Sequence, residues 1–250
     1  MNGTNSSGPA DQSDAEGVYA PPELLPEPLP EDPMPILGRW LREAIAASKE
    51  PNPNAMTLAT VDADGTISAR IVLCKDLDEV DGRVTFYTNY TGRKARALDA
   101  NPRAALVFHW DHVDRQVRIE GPVTKSPPEE SDEYFASRPW ESKAGAWASD
   151  QSQPIGSRAE MVAQAESRLR QFGLDPAQLE PRDRTVQIPR PPHWGGYRIW
   201  ARRVELWLGG PGRIHDRATW TRELLPAGDQ GDGVFRSYRA SGWDRQRLQP

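Results

Sequence analysis

Residues 55–75 read Ala55-Met-Thr-Leu-Ala-Thr-Val-Asp-Ala-Asp-Gly-Thr-Ile-Ser-Ala-Arg-Ile-Val-Leu-Cys-Lys75 and contain two β-rich runs around a turn. The runs Ala55–Val61 and Thr66–Lys75 flank Asp62 to Gly65, a pattern typical of a β-hairpin. Nearly all connections before residue 120 are too short for a parallel βαβ crossover. The sequence therefore predicts a mainly β fold with flanking helices, an antiparallel barrel rather than a doubly wound sheet.

Patterns on either side of the hairpin predict the remaining elements. A helix is predicted from about Met34 to Ser48, with an apolar stripe formed by Ile36, Leu37, Trp40, Leu41, Ala44 and Ile45. Further helices are predicted from near Thr91 to Ala100, after an N-cap at Ser126, and from a capping box at Ser157 to about Phe172. Further strands are predicted at Val84–Thr88, Ala104–Trp110, Gln116–Thr124, Gly196–Leu208, around Ile214 and at Thr219–Leu224, and a short strand can close the chain.

Composition excludes several classes of protein. No stretch approaches the roughly 20 apolar residues of a membrane span. The single cysteine, Cys74, excludes an intrachain disulfide framework and suits a reducing compartment. Four scattered histidines and one cysteine lack the spacing of a zinc site. We expect a cytoplasmic protein without a metal and without a membrane partner.

The charge of the chain is uneven. The net charge is −5, yet residues 1–32 contain seven acidic residues and no Lys or Arg, so the remainder is close to +2. Residues 1–32 are also rich in proline and lack the features of a secretion signal. The sequence predicts a disordered acidic arm over residues 1–32 and one domain over residues 33–250. This charge gives no support for nucleic acid as the main partner.

The segment Phe86-Tyr-Thr-Asn-Tyr-Thr-Gly-Arg-Lys-Ala95 has the features of an anion site. Arg93 and Lys94 fall in the first turn of a predicted helix, where the helix dipole favours anions over cations. Free backbone N–H groups and the hydroxyls of Thr88 and Thr91 add donors there. The segment predicts a phosphate site, with an exposed helix face as the alternative.

Three other sets of residues are candidate ligands, each with a plainer alternative. Arg70 and Lys75 lie at opposite ends of one strand, where solubilising charges are also common. Tyr134, Arg138 and Ser142 are spaced by four, so they would share a helix face and bind a second phosphate if the helix continued past Pro139; the alternative is an exposed helix end. The third is Gln116, whose amide can bind a heterocycle or face solvent. Gln151 and Ser152 lie in a polar loop and carry no signal by themselves.

The last candidate block is Arg213-Ile-His-Asp-Arg217, which follows a glycine-rich turn. In a strand, Arg213, His215 and Arg217 would point to one side, and three potential cations there repel each other unless carboxylates or a ligand compensate. A solvated hairpin edge is the alternative. Trp207, just before the turn, is typical of core or interface packing.

Together these residues occur in motifs that follow one another in a fixed order. The motifs are Arg70-Ile-Val-Leu-Cys-Lys75, Phe86-Tyr-Thr-Asn89, Arg93-Lys-Ala95, Arg115-Gln-Val117, Tyr134-Phe-Ala-Ser-Arg-Pro139, Gly145-Ala-Trp-Ala-Ser-Asp-Gln-Ser152, Trp194-Gly-Gly-Tyr-Arg198, Arg213-Ile-His-Asp-Arg217 and Arg247-Leu-Gln-Pro250. From about residue 32 to residue 250 the chain resembles the pyridoxamine 5′-phosphate oxidase family, flavin enzymes that complete pyridoxal 5′-phosphate.

The resemblance implies a homodimeric FMN-binding split β-barrel with FMN at the subunit interface. It implies FMN-binding roles for Arg70, Ile71, Val72, Leu73, Cys74, Lys75, Tyr87, Thr88, Arg93, Lys94, Gln116, Gln151, Ser152, Trp207 and Arg217. It implies that the substrate phosphate is bound by Lys75, Tyr134, Arg138 and Ser142. Arg213 and His215 would act as substrate-binding and catalytic residues that position the pyridine ring.

The implied reaction oxidises pyridoxamine or pyridoxine 5′-phosphate by moving a hydride equivalent from C4′ to the flavin, which O₂ then reoxidises to give H₂O₂. Two alternatives are an oxidase of the same fold acting on another aromatic substrate, such as a phenazine precursor, and a non-catalytic protein that binds flavin or pyridoxal phosphate. Two departures from the family pattern affect the site: Gly92 stands where serine is usual, and Glu16 stands where many members have a basic residue in the arm.

Overall fold

A computed structural model describes residues 23–175, 178–227 and 237–250 of the chain. The helices are α1 (Met34–Ala47), α2 (Arg93–Ala100), α3 (Pro128–Ala136), α4 (Trp140–Ala148) and α5 (Arg158–Arg170). The strands are β1 (Ala55–Val61), β2 (Ile67–Leu73), β3 (Asp76–Asp78), β4 (Arg83–Asn89), β5 (Arg103–Trp110), β6 (Arg115–Lys125), β7 (Trp194–Trp200), β8 (Arg203–Leu208), β9 (Asp216–Thr221), β10 (Leu224–Ala227), β11 (Ser237–Ala240) and β12 (Asp244–Leu248).

Ten of these strands form one antiparallel sheet. Its main path is β12-β9-β8-β6-β5-β1-β2, and a branch runs from β6 through β7 and β4 to β3. Strand β6 changes partner along its length, because residues 115–120 pair with β8 and residues 123–125 pair with β7. Gly121 lies at this change, where a Cβ atom would come within 1.8 Å of the Trp200 carbonyl oxygen. The strand can therefore pass from one half of the barrel to the other only with glycine there.

The predicted hairpin is confirmed. Strands β1 and β2 are antiparallel, with Val61 opposite Ile67 at the turn and Ala55 opposite Leu73 at the far end. The Asp62 N–H closes the turn with a hydrogen bond of 2.8 Å to the Thr66 carbonyl oxygen. Gly65 takes a left-handed φ of 85°, as the turn requires. Burial alternates along β1, so that every second side chain enters the barrel core. The same alternation in β5 contributes Leu106, Phe108 and Trp110 to that core.

Helix α1 closes one side of the core and matches its predicted bounds. Trp40 and Leu37 are fully buried, whereas Ile45, predicted to be in the apolar stripe, is 48% exposed. Ser48 follows the helix in a left-handed conformation, with its N–H bonded to the Ala44 carbonyl oxygen. No helix in the described part of the chain is long and apolar enough to cross a membrane.

Residues 23–32 correct the predicted boundary of the acidic arm. Leu25 and Leu29 are buried against the sheet, and Trp220 Nε1 donates a hydrogen bond of 2.9 Å to the Pro30 carbonyl oxygen. The disordered arm was predicted to reach residue 32, but apolar burial holds this part of it in place. The rest of that prediction, with Glu16, lies outside the described residues.

Three local predictions were wrong. Ser126 is not an N-cap, because α3 begins after Pro127 without a side-chain cap. The run Gly196–Leu208 is two strands, β7 and β8, separated by a bend at residues 201–202. Residues 211–213 form a 3₁₀ turn, so no strand is centred on Ile214. Strand propensity alone does not predict the two strand ends, because the pairing partners set where each strand ends.

Candidate active site

A cavity of about 640 Å³ opens between β2, β4, α3 and α4. Eleven of the residues predicted to bind cofactor or substrate line it: Ile71, Val72, Leu73, Lys75, Tyr87, Thr88, Lys94, Tyr134, Arg138, Ser142 and Gln151. The cavity is also lined by Ser137, Pro139, Arg182, Arg184 and Trp194. Five of these side chains are cations, and none of the lining residues is acidic. Without anionic ligands such an arrangement costs free energy, because the like charges repel each other and burial disfavours the charged form of each side chain.

One end of the cavity is the start of α2, where Gly92 is the extended N-cap and no acidic residue lies in the first turn. Lys94 Nζ donates hydrogen bonds to Thr88 Oγ1 at 2.8 Å and to Gln151 Oε1 at 2.6 Å. Burial, and then the charge of Arg70, lowers the pKa of Lys94 to about 8. A Cβ atom at Gly92 would come within 2.7 Å of Gln151 Oε1, so glycine lets Gln151 approach.

Arg93 and Ser152 lie beside this end but do not line the cavity. The Arg93 guanidinium forms an ion pair with Asp62, with nitrogen-to-oxygen distances of 2.6 and 3.0 Å. Its backbone N–H bonds to Ser152 Oγ at 3.2 Å. The two adjacent cations of the motif therefore differ, since only the Lys94 side chain reaches the cavity.

The other end of the cavity is built on stacked aromatic rings. The rings of Tyr87 and Tyr134 lie 4.1 Å apart, and those of Tyr87 and Trp194 lie 5.4 Å apart. Arg138 lies over the Trp194 ring at 4.7 Å, and its Nη1 is buried without a hydrogen-bond partner. Burial raises the pKa of Tyr87 to about 12, so its hydroxyl stays protonated as a donor. A buried guanidinium nitrogen without an acceptor indicates a place for an anion.

Tyr134, Arg138 and Ser142 reach the cavity by a different route from the one predicted. The helix does not continue past Pro139: α3 ends at Ala136 and α4 begins at Trp140. Proline at the junction cannot donate the backbone hydrogen bond that a continuous helix needs. The three side chains still line one cavity, because the two short helices meet at its wall.

Arg70 and Cys74 belong to the predicted motif on β2 but do not line the cavity. The Arg70 guanidinium donates to Thr60 Oγ1 at 2.8 Å and to Ser68 Oγ at 2.5 Å. Cys74 is buried, and burial raises the pKa of its thiol to about 12. Arg70 therefore acts on the cavity through its charge on Lys94 rather than by contact.

The remaining predicted residues lie together on β6, β8, β9 and the turn between the last two. Gln116 is opposite Trp207, which is opposite Arg217. Arg217 donates to the buried Glu205 carboxylate at 2.8 Å. This second group, Gln116, Trp207, Arg213, His215 and Arg217, does not line the cavity of its own chain.

Arg213 and His215 do not follow strand geometry, contrary to prediction. Arg213 has a left-handed φ of 65°, and β9 begins only at Asp216. The glycine-rich turn extends further than the sequence suggests, because Gly212 is also left-handed, with a φ of 63°. His215 Nδ1 accepts a hydrogen bond from the Gly210 N–H at 3.1 Å, and its ring lies 4.7 Å from that of Trp207.

Five lining residues were not among the predicted sites. Trp194 begins the Trp-Gly-Gly-Tyr-Arg motif, and Ser137 and Pro139 lie within Tyr-Phe-Ala-Ser-Arg-Pro, so motif membership could have indicated them. Arg182 and Arg184 lie in the proline-rich loop after α5 and carry no local signal of a binding role. Among the described residues, no cluster of His, Cys, Asp or Glu is arranged to hold a metal ion.

Comparisons with known proteins identify the relatives of this chain. Residues 41–171 match the family model "Pyridoxamine 5'-phosphate oxidase", and residues 194–250 match "Pyridoxine 5'-phosphate oxidase C-terminal dimerisation region". The chain is 52% identical over 199 residues to the pyridoxine/pyridoxamine 5′-phosphate oxidase of Cupriavidus necator, covering 79% of this chain and 85% of the relative. The chain belongs to the pyridoxamine 5′-phosphate oxidase family.

Other relatives and solved structures agree with this family. The pyridoxine/pyridoxamine 5′-phosphate oxidase of Chromobacterium violaceum is 46% identical over 93% of this chain and 95% of its own length. The crystal structure of PhzG from Burkholderia lata, in complex with tetrahydrophenazine-1-carboxylic acid, has a TM-score of 0.73 and 28% identity, covering 92% of this chain and all of that one. A family-related FMN-binding protein from Nostoc punctiforme, at 14% identity and a TM-score of 0.59, covers 86% of this chain and 96% of its own and shows the split-barrel fold alone. The predicted fold class is confirmed.

Proposed function

We propose that this protein is a cytoplasmic, FMN-dependent oxidase that converts pyridoxamine or pyridoxine 5′-phosphate to pyridoxal 5′-phosphate. The observation that carries the proposal is the cavity lined by five cations and no acid, with a stacked aromatic wall. A flat ring with phosphate groups matches that lining in shape and in charge. Close relatives named as pyridoxine/pyridoxamine 5′-phosphate oxidases support the same substrates.

The residues at the start of α2 suit the phosphate of FMN. Lys94 and Thr88 would bind it, and Gln151 holds the Lys94 ammonium in place. The lowered pKa of Lys94 supports this assignment, since a bound phosphate would restore the stability of its charged form. When bound, FMN supplies two-electron chemistry, accepting electrons from the substrate and passing them to O₂.

The aromatic end suits the phosphate of the substrate. Arg138 has a buried donor without a partner, and Tyr134 and Ser142 add hydroxyl donors. Lys75 also lines the cavity and can contribute charge to its ligands. These four residues orient the substrate by its phosphate and leave its pyridine ring free to stack.

The second group of predicted residues would complete the cavity of the partner subunit in a homodimer. Trp207, Arg213, His215 and Arg217 all lie within residues 194–250, the segment that matches the dimerisation region. Arg213 and His215 would hold the pyridine ring of the substrate. Arg217, fixed by Glu205, would place a positive charge near the cofactor, where it would stabilise the reduced anion.

The purified protein tests the proposal directly. It should be yellow, should consume O₂ with either phosphorylated substrate, and should form pyridoxal 5′-phosphate and H₂O₂. Anaerobic addition of either substrate should bleach the flavin spectrum. Colourless protein, or flavoprotein inert toward both substrates, would exclude this function. If substrate bound to the flavoprotein but did not reduce its flavin, the protein would be a non-catalytic binding protein.

A phenazine precursor is the second candidate substrate, because PhzG shares the fold and holds a tetrahydrophenazine carboxylic acid. The cationic lining at the aromatic end favours the phosphorylated pyridine, since a dianionic phosphate interacts with several cations at once. A panel of both substrate types, followed by anaerobic flavin bleaching, separates the two. Faster bleaching by the phenazine precursor would reverse this assignment.

A further inference from the structure

Two arginines outside every predicted site line the same cavity as Arg138 and Ser142. Arg182 and Arg184 lie in the segment between α5 and β7, and both are exposed. Neither guanidinium forms an ion pair with a carboxylate of the described residues. Exposed arginines on a protein surface usually need no explanation, but these two face a cavity that already holds three other cations. Their position there adds like charge to a site that lacks acids.

Hydrogen bonds hold the segment that contains Arg182 and Arg184 against the start of α4. The Trp140 N–H bonds to the Asp183 carbonyl oxygen at 2.9 Å, and the Arg182 N–H bonds to Glu141 Oε1 at 2.7 Å. Lys143 is 1% exposed and donates to the carbonyl oxygens of Arg184 and Val186 at 3.2 and 2.9 Å. The segment therefore crosses the first turn of α4, the turn that contains Ser142.

The conformation of Arg182 also argues against a chance arrangement. Its φ of 62° is left-handed, a region that costs a residue other than glycine about 1–2 kcal/mol. The bond from the Arg182 N–H to Glu141 Oε1, and that from the Trp140 N–H to the Asp183 carbonyl oxygen, hold the backbone in that conformation. A strained residue next to a binding cavity is a reason to look for a function of its side chain.

We propose that Arg182 and Arg184 form an outer cation pair that binds the phosphate group of the substrate together with Arg138. This inference rests on the proposed function and adds to it a determinant of specificity. The partnerless Nη1 of Arg138 indicates an anion at this end of the cavity. A phosphate monoester carries nearly two negative charges and three acceptor oxygens, so it can accept from more than one arginine.

The pair acts on binding rather than on the chemical step. Both guanidiniums are exposed, so salt screens their attraction and each contributes modestly. They attract the phosphorylated form of the pyridine and discriminate against its unphosphorylated form. They are positioning residues, because the phosphate that they would contact is remote from the reacting carbon.

The test compares the FMN-loaded double variant Arg182→Gln/Arg184→Gln with a control double variant, Arg158→Gln/Arg170→Gln. The control removes the same charge from α5, outside the cavity. Flavin absorbance reports the Kd of pyridoxal 5′-phosphate and of pyridoxal. We expect the Kd of pyridoxal 5′-phosphate to rise about tenfold at low salt, with a smaller difference at high salt. The Kd of pyridoxal and the kcat should not change, and a lysine double variant should recover much of the affinity.

Equal affinity of the double variant and wild type for pyridoxal 5′-phosphate would overturn the inference. So would an equal loss of affinity for pyridoxal, which would indicate a structural role. Unchanged FMN occupancy and Tm show that the double variant is folded. Calorimetric titration with inorganic phosphate separates this inference from the proposed function: weaker phosphate binding in the double variant supports the cation pair even if wild type oxidises neither substrate.

Discussion

Arg93 and Lys94 are adjacent in the sequence, but their side chains have different roles. Successive residues of a helix point about 100° apart, so only one of two adjacent cations can face a given cavity. Lys94 faces it and bonds to Thr88 and Gln151, whereas Arg93 turns outward to Asp62. We therefore expect Arg93→Ala to lower the affinity for FMN less than loss of the Lys94 charge does.

Lys94 should make FMN binding depend on pH. Its pKa of about 8 lies below the usual value, so the ammonium loses its charge as pH rises through 8. A bound phosphate favours the charged form, so affinity should be highest below pH 8. Above pH 8 it should fall, by at most about tenfold per pH unit for one coupled proton. Fluorescence titration of apoprotein with FMN between pH 7 and 9.5 measures this.

Lys94→Met provides the comparison for that pH dependence. The variant should bind FMN about 10–100-fold more weakly at pH 7, because a charge-assisted hydrogen bond is lost. Its affinity should change little between pH 7 and 9.5. A wild-type affinity for FMN that does not change with pH over this range would contradict the prediction. If the variant showed the same pH dependence as wild type, the titrating group would be one other than Lys94. Lys49→Met, an exposed lysine after α1, is the matched control.

At the scale of elements, a buried cation is one of the groups that join α4 to the segment after α5. Lys143 satisfies two carbonyl oxygens of that segment, and Trp140 and Ile188 pack beside it in a small apolar cluster. This cluster is separate from the barrel core. Its stability therefore depends on few contacts, and loss of one polar anchor should loosen the segment locally rather than unfold the barrel.

Lys143→Met should release the segment over residues 178–190. Two buried carbonyl oxygens would lose their hydrogen-bond donor, which lowers the stability of the segment by about 1–3 kcal/mol. Part of this loss is offset, because the substitution also removes a buried charge. Limited proteolysis should cut this segment faster, while circular dichroism shows the sheet unchanged. An unaltered cleavage rate would mean that the apolar cluster and the other hydrogen bonds, such as that of the Trp140 N–H to the Asp183 carbonyl oxygen, hold the segment without Lys143. The exposed Lys49→Met variant again serves as the control.

The sequence predicts the elements of this fold better than it predicts their ends. Alternation and turn residues placed the Ala55–Val61 hairpin strand correctly, because both signals are local. Pro139 marks the helix break before Trp140 in the sequence itself, whereas the left-handed backbone at Arg213 depends on packing with distant elements, which local patterns do not encode. The role of Arg182 was missed for the same reason, since only the bonds to α4 bring it to the cavity.

At the scale of the whole molecule, the two groups of predicted site residues lie apart within one chain. Arg138 lines the cavity, whereas Arg213 lies in the turn before β9. If a homodimer joins them, each site takes its cavity from one subunit and its Arg213 from the other. Variants Arg138→Ala and Arg213→Ala should then each be inactive as homodimers and should complement each other.

Heterodimers of these two variants, isolated with two different tags, should recover about half of the wild-type activity, because one of their two sites contains no substitution. If each site were built within one chain, both sites of the heterodimer would carry a substitution and no activity would return. Steady-state O₂ consumption of the purified heterodimer decides between these outcomes. A heterodimer reconstituted from two wild-type chains gives the reference rate.

The packing of residues 23–32 against β9 and β12 has a consequence for synthesis on the ribosome. The Leu25 N–H bonds to Asp216 Oδ2, 191 positions later in the chain, and Arg247 bonds to Glu27 and to the Leu25 carbonyl oxygen. At typical translation rates the early segment waits roughly 10–40 s for its partners. During that time Leu25 and Leu29 have no strands to cover them, so two apolar side chains that the folded protein buries stay exposed on the nascent chain.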